Sequence, residues 1–212
     1  MSGLAQRWVA TREGFKPREV EEPIDYYWHR PLAGLLVQAL ERTSIQPNQV
    51  TFASAGAGVL SGVALGLAAW VHPWWALAGG ILLLLSIVLD CADGQLARLR
   101  GTSSPLGRTL DGCMDAVAPL FVFHGMAFLL VARGWGWGWV WAIGLPTAAS
   151  LIWHASVYDV SKNIWLHATH PEFSLGGSTL LTPQDMEQWK REFDEKGERF
   201  NSLLMSVWSS WT

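Results

Sequence analysis

The stretch Ile81-Leu-Leu-Leu-Leu-Ser-Ile-Val-Leu-Asp90-Cys-Ala-Asp93-Gly94-Gln-Leu-Ala97-Arg98 decides the fold, together with Gly107-Arg-Thr-Leu-Asp111-Gly-Cys-Met-Asp115, which begins after eight intervening residues. An apolar run feeds straight into two carboxylates, two more follow, and a second apolar run begins at Ala116. Carboxylates at the edge of a membrane are costly, and four together repel one another. A divalent cation is the simplest offset, because hard cations prefer oxygen ligands.

On a helix continuing from the first apolar run, positions 90, 93, 94 and 97 share one face. Gly94 and Ala97 leave an open strip where a ligand can approach the backbone, and Arg98 offers a fork of donors suited to phosphate oxygens. Asp111 and Asp115 lie one turn apart, and Gly107 continues their face one turn earlier. Two such helices side by side gather four carboxylates. That set could hold two divalent ions, about 4 Å apart, clamping a diphosphate.

Half of the 212 residues are hydrophobic and 16% are charged, which is low for a soluble domain. From Thr43 to Leu89 there is no Asp, Glu, Lys or Arg, and from Ala116 to Tyr158 only Arg133. These stretches predict four transmembrane helices: Val50–Val71, Trp74–Leu99, Pro105–Val131 and Trp135–Tyr158. With a cytoplasmic N-terminus, every Lys and Arg except Arg133 falls on the cytoplasmic side, a strong positive-inside bias. The Asp cluster then faces the cytoplasm. The outer turns, Val71-His-Pro-Trp-Trp75 and Gly134-Trp-Gly-Trp-Gly-Trp139, suit an aromatic belt at headgroup level.

Residues 1–25 read as a flexible, mixed-charge lead without a cleavable signal peptide. Pro31 opens a short helix in which Leu32, Leu35, Leu36, Ala39 and Leu40 form one apolar face, predicted to lie along the cytoplasmic interface. Gly58, Gly62 and Gly66 recur every four residues in span one and predict close helix approach. Cys91 and Cys113 read as small packing residues on the reducing side. His124 and His154, inside spans three and four, are expected to hydrogen-bond to neighbouring helices. Lys162, with Asp159 and Asn163, reads as an interfacial anchor. Beyond it, Thr182-Pro-Gln-Asp185 predicts a capped soluble helix, and Leu203–Thr212 an apolar segment too short to span. The net charge of −3 predicts no nucleic-acid partner.

The pattern D-x2-D-G-x2-A-R-x8-G-x3-D-x3-D, from Asp90 to Asp115, resembles the signature of the CDP-alcohol phosphotransferase (CDP-alcohol phosphatidyltransferase) family without departure. Pro47-Asn48-Gln-Val-Thr51 is similar to that family's P-N-x-x-T motif, and the resemblance covers roughly residues 26–160. It implies an all-α, polytopic membrane bundle with an interfacial helix before span one. It also implies transfer of a substituted phosphate, phosphatidyl being favoured, from a CDP-linked lipid or alcohol donor to an alcohol acceptor, releasing CMP in phospholipid biosynthesis. Asp90, Asp93 and Asp111 would ligate Mg²⁺, or Mn²⁺ as a substitute, with two ions expected. Asp115 would complete that set and act as general base on the acceptor hydroxyl. Asn48, Thr51, Gly94, Ala97, Arg98 and Gly107 would line the CDP site. Membrane lipids are further expected partners, and a homodimer is compatible with the resemblance. The location implied is the cytoplasmic membrane if the source is bacterial.

Members of that family usually have six spans, whereas four are readable here. Residues 161–212 hold no apolar run of spanning length, so they are expected to form a cytoplasmic segment that stops before further spans. Two other enzyme or transport classes fit less well. Intramembrane prenyltransferases also use Asp-rich segments and Mg²⁺, but do not require the Gly94, Ala97 and Arg98 pattern. A divalent-cation transporter would need acids near mid-membrane, whereas these fall at one end. A purely structural alternative pairs the carboxylates with Arg98, Arg100 and Arg108 as ion pairs at helix ends.

Overall fold

The computed structural model describes residues 18–102, 105–169, 183–199, 201–203 and 206. Among these every regular element is helical. A 3-10 turn at Arg18–Val20 and a π-helical turn at Asp25–His29 lead into α1 (Arg30–Leu40), α2 (Pro47–Trp70), α3 (Trp74–Leu99), α4 (Pro105–Asp115), α5 (Val117–Ala132), α6 (Trp137–Thr169) and α7 (Pro183–Glu195). Four helical segments are long and apolar enough to cross a membrane: Pro47–Trp70, Trp74–Leu99, Leu110–Ala132 and Trp137–Leu166. Their outward faces carry exposed Leu60, Val63, Leu84, Leu85, Leu120, Leu151 and Ile152. Apolar surface of that kind suits lipid, where a helix satisfies its own backbone groups.

The centre of the bundle is α2, packed against α3 on one side and α5 on the other. Small residues allow this. A Cβ on Gly62 would lie 2.3 Å from the backbone of Phe121, and one on Gly125 would lie 2.2 Å from the Gly62 carbonyl oxygen. Gly58 meets Ala118 in the same way, while Gly66 faces open space. Two of the three glycines in the stripe therefore act as contact points. Along the other seam, Ser54 Oγ donates to the Ser86 carbonyl at 3.0 Å and Ser86 Oγ returns a bond to the Ser54 carbonyl at 2.9 Å. Ser61 Oγ donates to the Gly79 carbonyl at 2.8 Å. Such interhelical bonds contribute on the order of 0.6 kcal/mol each in lipid.

Span three is not one continuous helix from Pro105 to Val131. It divides at Ala116 into α4 and α5. Pro119 explains the division, since its ring removes an N–H and crowds the carbonyl of Asp115 four residues earlier. At the other extreme, α6 continues past Tyr158 to Thr169. Polar residues such as Asp159, Ser161 and Asn163 end the lipid-compatible stretch without ending the helix.

Helix α1 packs on α3 through Ala33 and Val37 against Ala92 and Leu96, flanked by Leu36 and Leu40. Leu32 and Leu35 lie on the exposed side with Tyr27 and Trp28. The expected apolar face is thus split into a packed half and an outward half suited to an interface. Within the expected lead, Val20 and Glu21 are buried. Glu21 holds Arg30 through two bonds of 2.9 Å and lies 3.7 Å from Lys162 of α6. Burial, the largest single influence, would lower the Arg30 pKa, but the charge and hydrogen bonds of Glu21 together with nearby groups such as Asp25 raise it overall. The Tyr158 hydroxyl donates to the Val20 carbonyl at 2.9 Å, so the segment before α1 is tied to α6 twice.

Among the described residues, His124 and His154 hydrogen-bond within their own helices rather than to neighbouring ones. Each Nδ1 lies 2.7 Å from a carbonyl of its own preceding turn, Leu120 and Ser150 respectively. The His124 ring also meets Trp141 of α6 edge-on, with centroids 5.7 Å apart. Cys91 and Cys113 are free and half-buried. Helix α7 carries i,i+4 pairs such as Glu187–Arg191, a solvated face. Thr182 and the end of the apolar tail lie outside the described residues.

Candidate metal centre and substrate site

Asp90 and Asp93 occupy the last turns of α3, and Asp111 comes from α4. One carboxylate oxygen from each lies within 4.8 Å of the other two. At an effective dielectric constant of about 20, such a spacing costs on the order of 3 kcal/mol of repulsion per ionised pair. Hard oxygen donors converging from two helices are the donor set that Mg²⁺ or Mn²⁺ takes, so these residues fit a divalent cation. The alternative of helix-end ion pairing fails for Arg100, whose guanidinium turns away to backbone carbonyls. The Arg108 side chain lies outside the described residues.

The turn between α3 and α4 makes the convergence feasible. Gly101 adopts φ +63°, and the Thr102 amide bonds to the Ala97 carbonyl at 2.9 Å, closing the helix with a left-handed cap. A residue with a Cβ is disfavoured at that φ. Helix α4 begins at Pro105, packs on α2 and α5, and brings Asp111 to the two carboxylates of α3.

Asp115 ends α4 at the edge of the three-carboxylate group. Its side chain is within hydrogen-bonding reach of Asp90 and is exposed.

Thr51 is buried on α2, and its hydroxyl donates to Asp93 Oδ2 at 2.5 Å. Asn48 sits one turn earlier and is exposed. Gly94 and Ala97 are half-buried along α3. A Cβ at Gly94 would meet only the Arg98 guanidinium, at 3.4 Å, so the strip beside the carboxylates is bounded by an arginine fork. Gly107 is half-buried on α4. The α3 and α4 residues named in the signature therefore gather at one end of the bundle, joined there by the first turns of α2.

Sequence reasoning missed three contributors at this end. The Thr51–Asp93 bond, the Glu21–Arg30 pair and the contacts of Arg100 each join residues distant in the chain. No local pattern announces such pairings. Gln95 is a further case: it is buried, and its amide donates to the Arg30 carbonyl at 3.3 Å, tying α3 to the start of α1.

The family model for CDP-alcohol phosphatidyltransferase matches residues 44–184. Phosphatidylinositol phosphate synthase of Mycobacteroides abscessus is 37% identical over 100 residues, 47% of this chain and 43% of that protein. Archaetidylinositol phosphate synthase of Aeropyrum pernix is 35% identical over 103 residues, 49% of this chain and 50% of that protein. Phosphatidylinositol phosphate synthase of Corynebacterium glutamicum is 35% identical over 101 residues, 48% and 42% of the two chains. The matched region spans half or less of the length of these relatives. The family model, by contrast, takes in most of the chain and contains every residue of the carboxylate cluster, and the chain belongs to the CDP-alcohol phosphatidyltransferase family.

Proposed function

We propose that this protein transfers a substituted phosphate, phosphatidyl in the first instance, from a CDP-linked donor to an alcohol, with release of CMP. The convergence of Asp90, Asp93 and Asp111 within 4.8 Å carries the reading. These three side chains would hold Mg²⁺ or Mn²⁺, with room in the role for two ions. When bound, the metal supplies positive charge that neutralises the diphosphate and the departing CMP. The positive-inside pattern supports a cytoplasmic position for this end of the bundle.

The remaining roles fall to the chain's own groups. Asp115, exposed beside the cluster, accepts the proton of the acceptor hydroxyl. The acceptor oxygen then bonds to the substituted phosphorus as the bond from phosphorus to the CMP oxygen breaks, and the electron pair leaves with CMP. Arg98 donates to phosphate oxygens, and the open strip at Gly94 and Ala97 lets the nucleotide lie against the backbone. Asn48 and Thr51 bound the nucleotide from α2. The three relatives are named as synthases of inositol phosphate lipids, and on that ground an inositol phosphate heads the acceptor panel.

The test is CMP release by the purified membrane protein from CDP-diacylglycerol, with a panel of alcohols, in Mg²⁺ and in EDTA. Release that needs metal and one acceptor, and that disappears in Asp115→Asn, is expected. Metal-independent release, or none with any donor and acceptor, would overturn the reading.

A further inference from the structure

The Arg100 guanidinium, just past the end of α3, is spent entirely on backbone in its described contacts. Nη1 donates to the Ile45 carbonyl at 2.5 Å. Nη2 lies within reach of the carbonyls of Leu40 at 2.8 Å, Glu41 at 3.3 Å and Thr43 at 2.9 Å. These oxygens belong to the C-terminal end of α1 and the connector into α2. A cation there meets the negative end of the α1 dipole as well as carbonyls the helix cannot satisfy itself. The connector's other described ties are local: Thr43 donates to the Leu40 carbonyl through its amide and its hydroxyl, the Ile45 amide donates to Thr43 Oγ1, and Gln46 shares a capping box with Gln49.

Two residues after the clamped Ile45, Pro47 opens the turn that carries Asn48, and Thr51 follows with its bond to Asp93. The same α3 terminus thus presents Asp93 to the cluster and grips the connector that delivers Asn48. We infer that Arg100 is a positioning residue: it sets the register of the Asn48 turn against α3, and so shapes the nucleotide side of the site without touching substrate. This inference rests on the proposed CDP-donor reading of that site.

The geometry sets the sign of the expected effect. The clamped carbonyls are largely solvent-exposed, so water can replace Arg100 and the fold survives its loss. The loosened turn then weakens ground-state and transition-state donor binding alike, which raises donor KM and spares kcat. Lysine supplies the charge but not the fork, so it restores only part.

The experiment compares wild type, Arg100→Met and Arg100→Lys as full chains in lipid nanodiscs. Three quantities are read: donor KM and kcat, affinity for CDP in Mg²⁺, and amide exchange. Arg100→Met is expected to raise donor KM and weaken CDP binding about tenfold with kcat within about twofold. Exchange should accelerate over residues 43–50 and stay unchanged over residues 54–62. Arg100→Lys should fall between the two. Unchanged CDP affinity, or a loss of kcat with unaltered KM, would overturn the inference. So would accelerated exchange across the whole of α2, which would mark a general structural role. If wild type releases no CMP, the proposed transfer fails, while CDP affinity and exchange still decide the role of Arg100.

Discussion

The Thr51 hydroxyl donates to Oδ2 of Asp93 at 2.5 Å, joining two buried side chains that lie 42 residues apart in the chain. It fixes which oxygen of Asp93 remains for the cluster. Thr51→Val keeps the shape and removes the donor. The buried carboxylate then loses a charge-assisted bond, at a cost on the order of 2 kcal/mol. The Mg²⁺ concentration that half-saturates CMP release should rise several-fold in Thr51→Val and little in Thr51→Ser. A metal titration that superimposes on wild type would show that the bond does not orient Asp93.

The cluster makes a second prediction that needs no substrate. Asp111→Asn removes one of three crowded charges, so in EDTA the variant should unfold at a higher temperature than wild type, by a few degrees per kcal/mol relieved. In Mg²⁺ the order should reverse, because only wild type gains binding free energy in the folded state. Thermal unfolding in the two buffers reads both arms. Parallel shifts in wild type and variant would mean that these carboxylates do not bind the ion.

Helix approach gives a third. Gly62→Leu forces atoms into the Phe121 backbone, where even a Cβ would come within 2.3 Å. Overpacking of this kind costs about 1–3 kcal/mol or more when backbone cannot yield. Gly66→Leu meets nothing within 4 Å of its Cβ and should leave the unfolding temperature near that of wild type. Equal effects at the two positions would remove the stripe from any role in packing α2 on α5.

The buried Glu21 gives a fourth. Glu21→Gln leaves the largely buried Arg30 without its bidentate partner, and breaking a buried pair on one side costs about 3–5 kcal/mol. Lys162 stands farther off at 3.7 Å, so Lys162→Met should cost less. Limited proteolysis around residues 18–30, alongside thermal unfolding, measures both. A larger loss in Lys162→Met than in Glu21→Gln would contradict the pairing seen here.

Much of the fold was legible because lipid imposes simple rules. Helix α3 runs over Trp74–Leu99 as its apolar length predicts. The signature carboxylates converge because three- and four-residue spacing fixes a helix face regardless of context. What escaped reading has physical causes. Hydropathy averages over Pro119 and so hid the break at Ala116. Polarity marks the limit of the lipid core, not of a helix, which is why α6 extends beyond Tyr158. Buried ties such as Arg30–Glu21, and the turning of Arg100 to carbonyls, depend on which elements meet, and spacing within one element carries no record of that.

The clustered carboxylates also have a biosynthetic consequence. All three arise within residues 90–111, on helices consecutive in the chain. Ligands so close in the chain pay little loop-closure entropy. Nascent chain needs only α2 to α5, before α6 is synthesised, to offer a cation its oxygens. An ion captured by these carboxylates during membrane insertion would then fix α3 and α4 relative to each other, giving it a part in assembly.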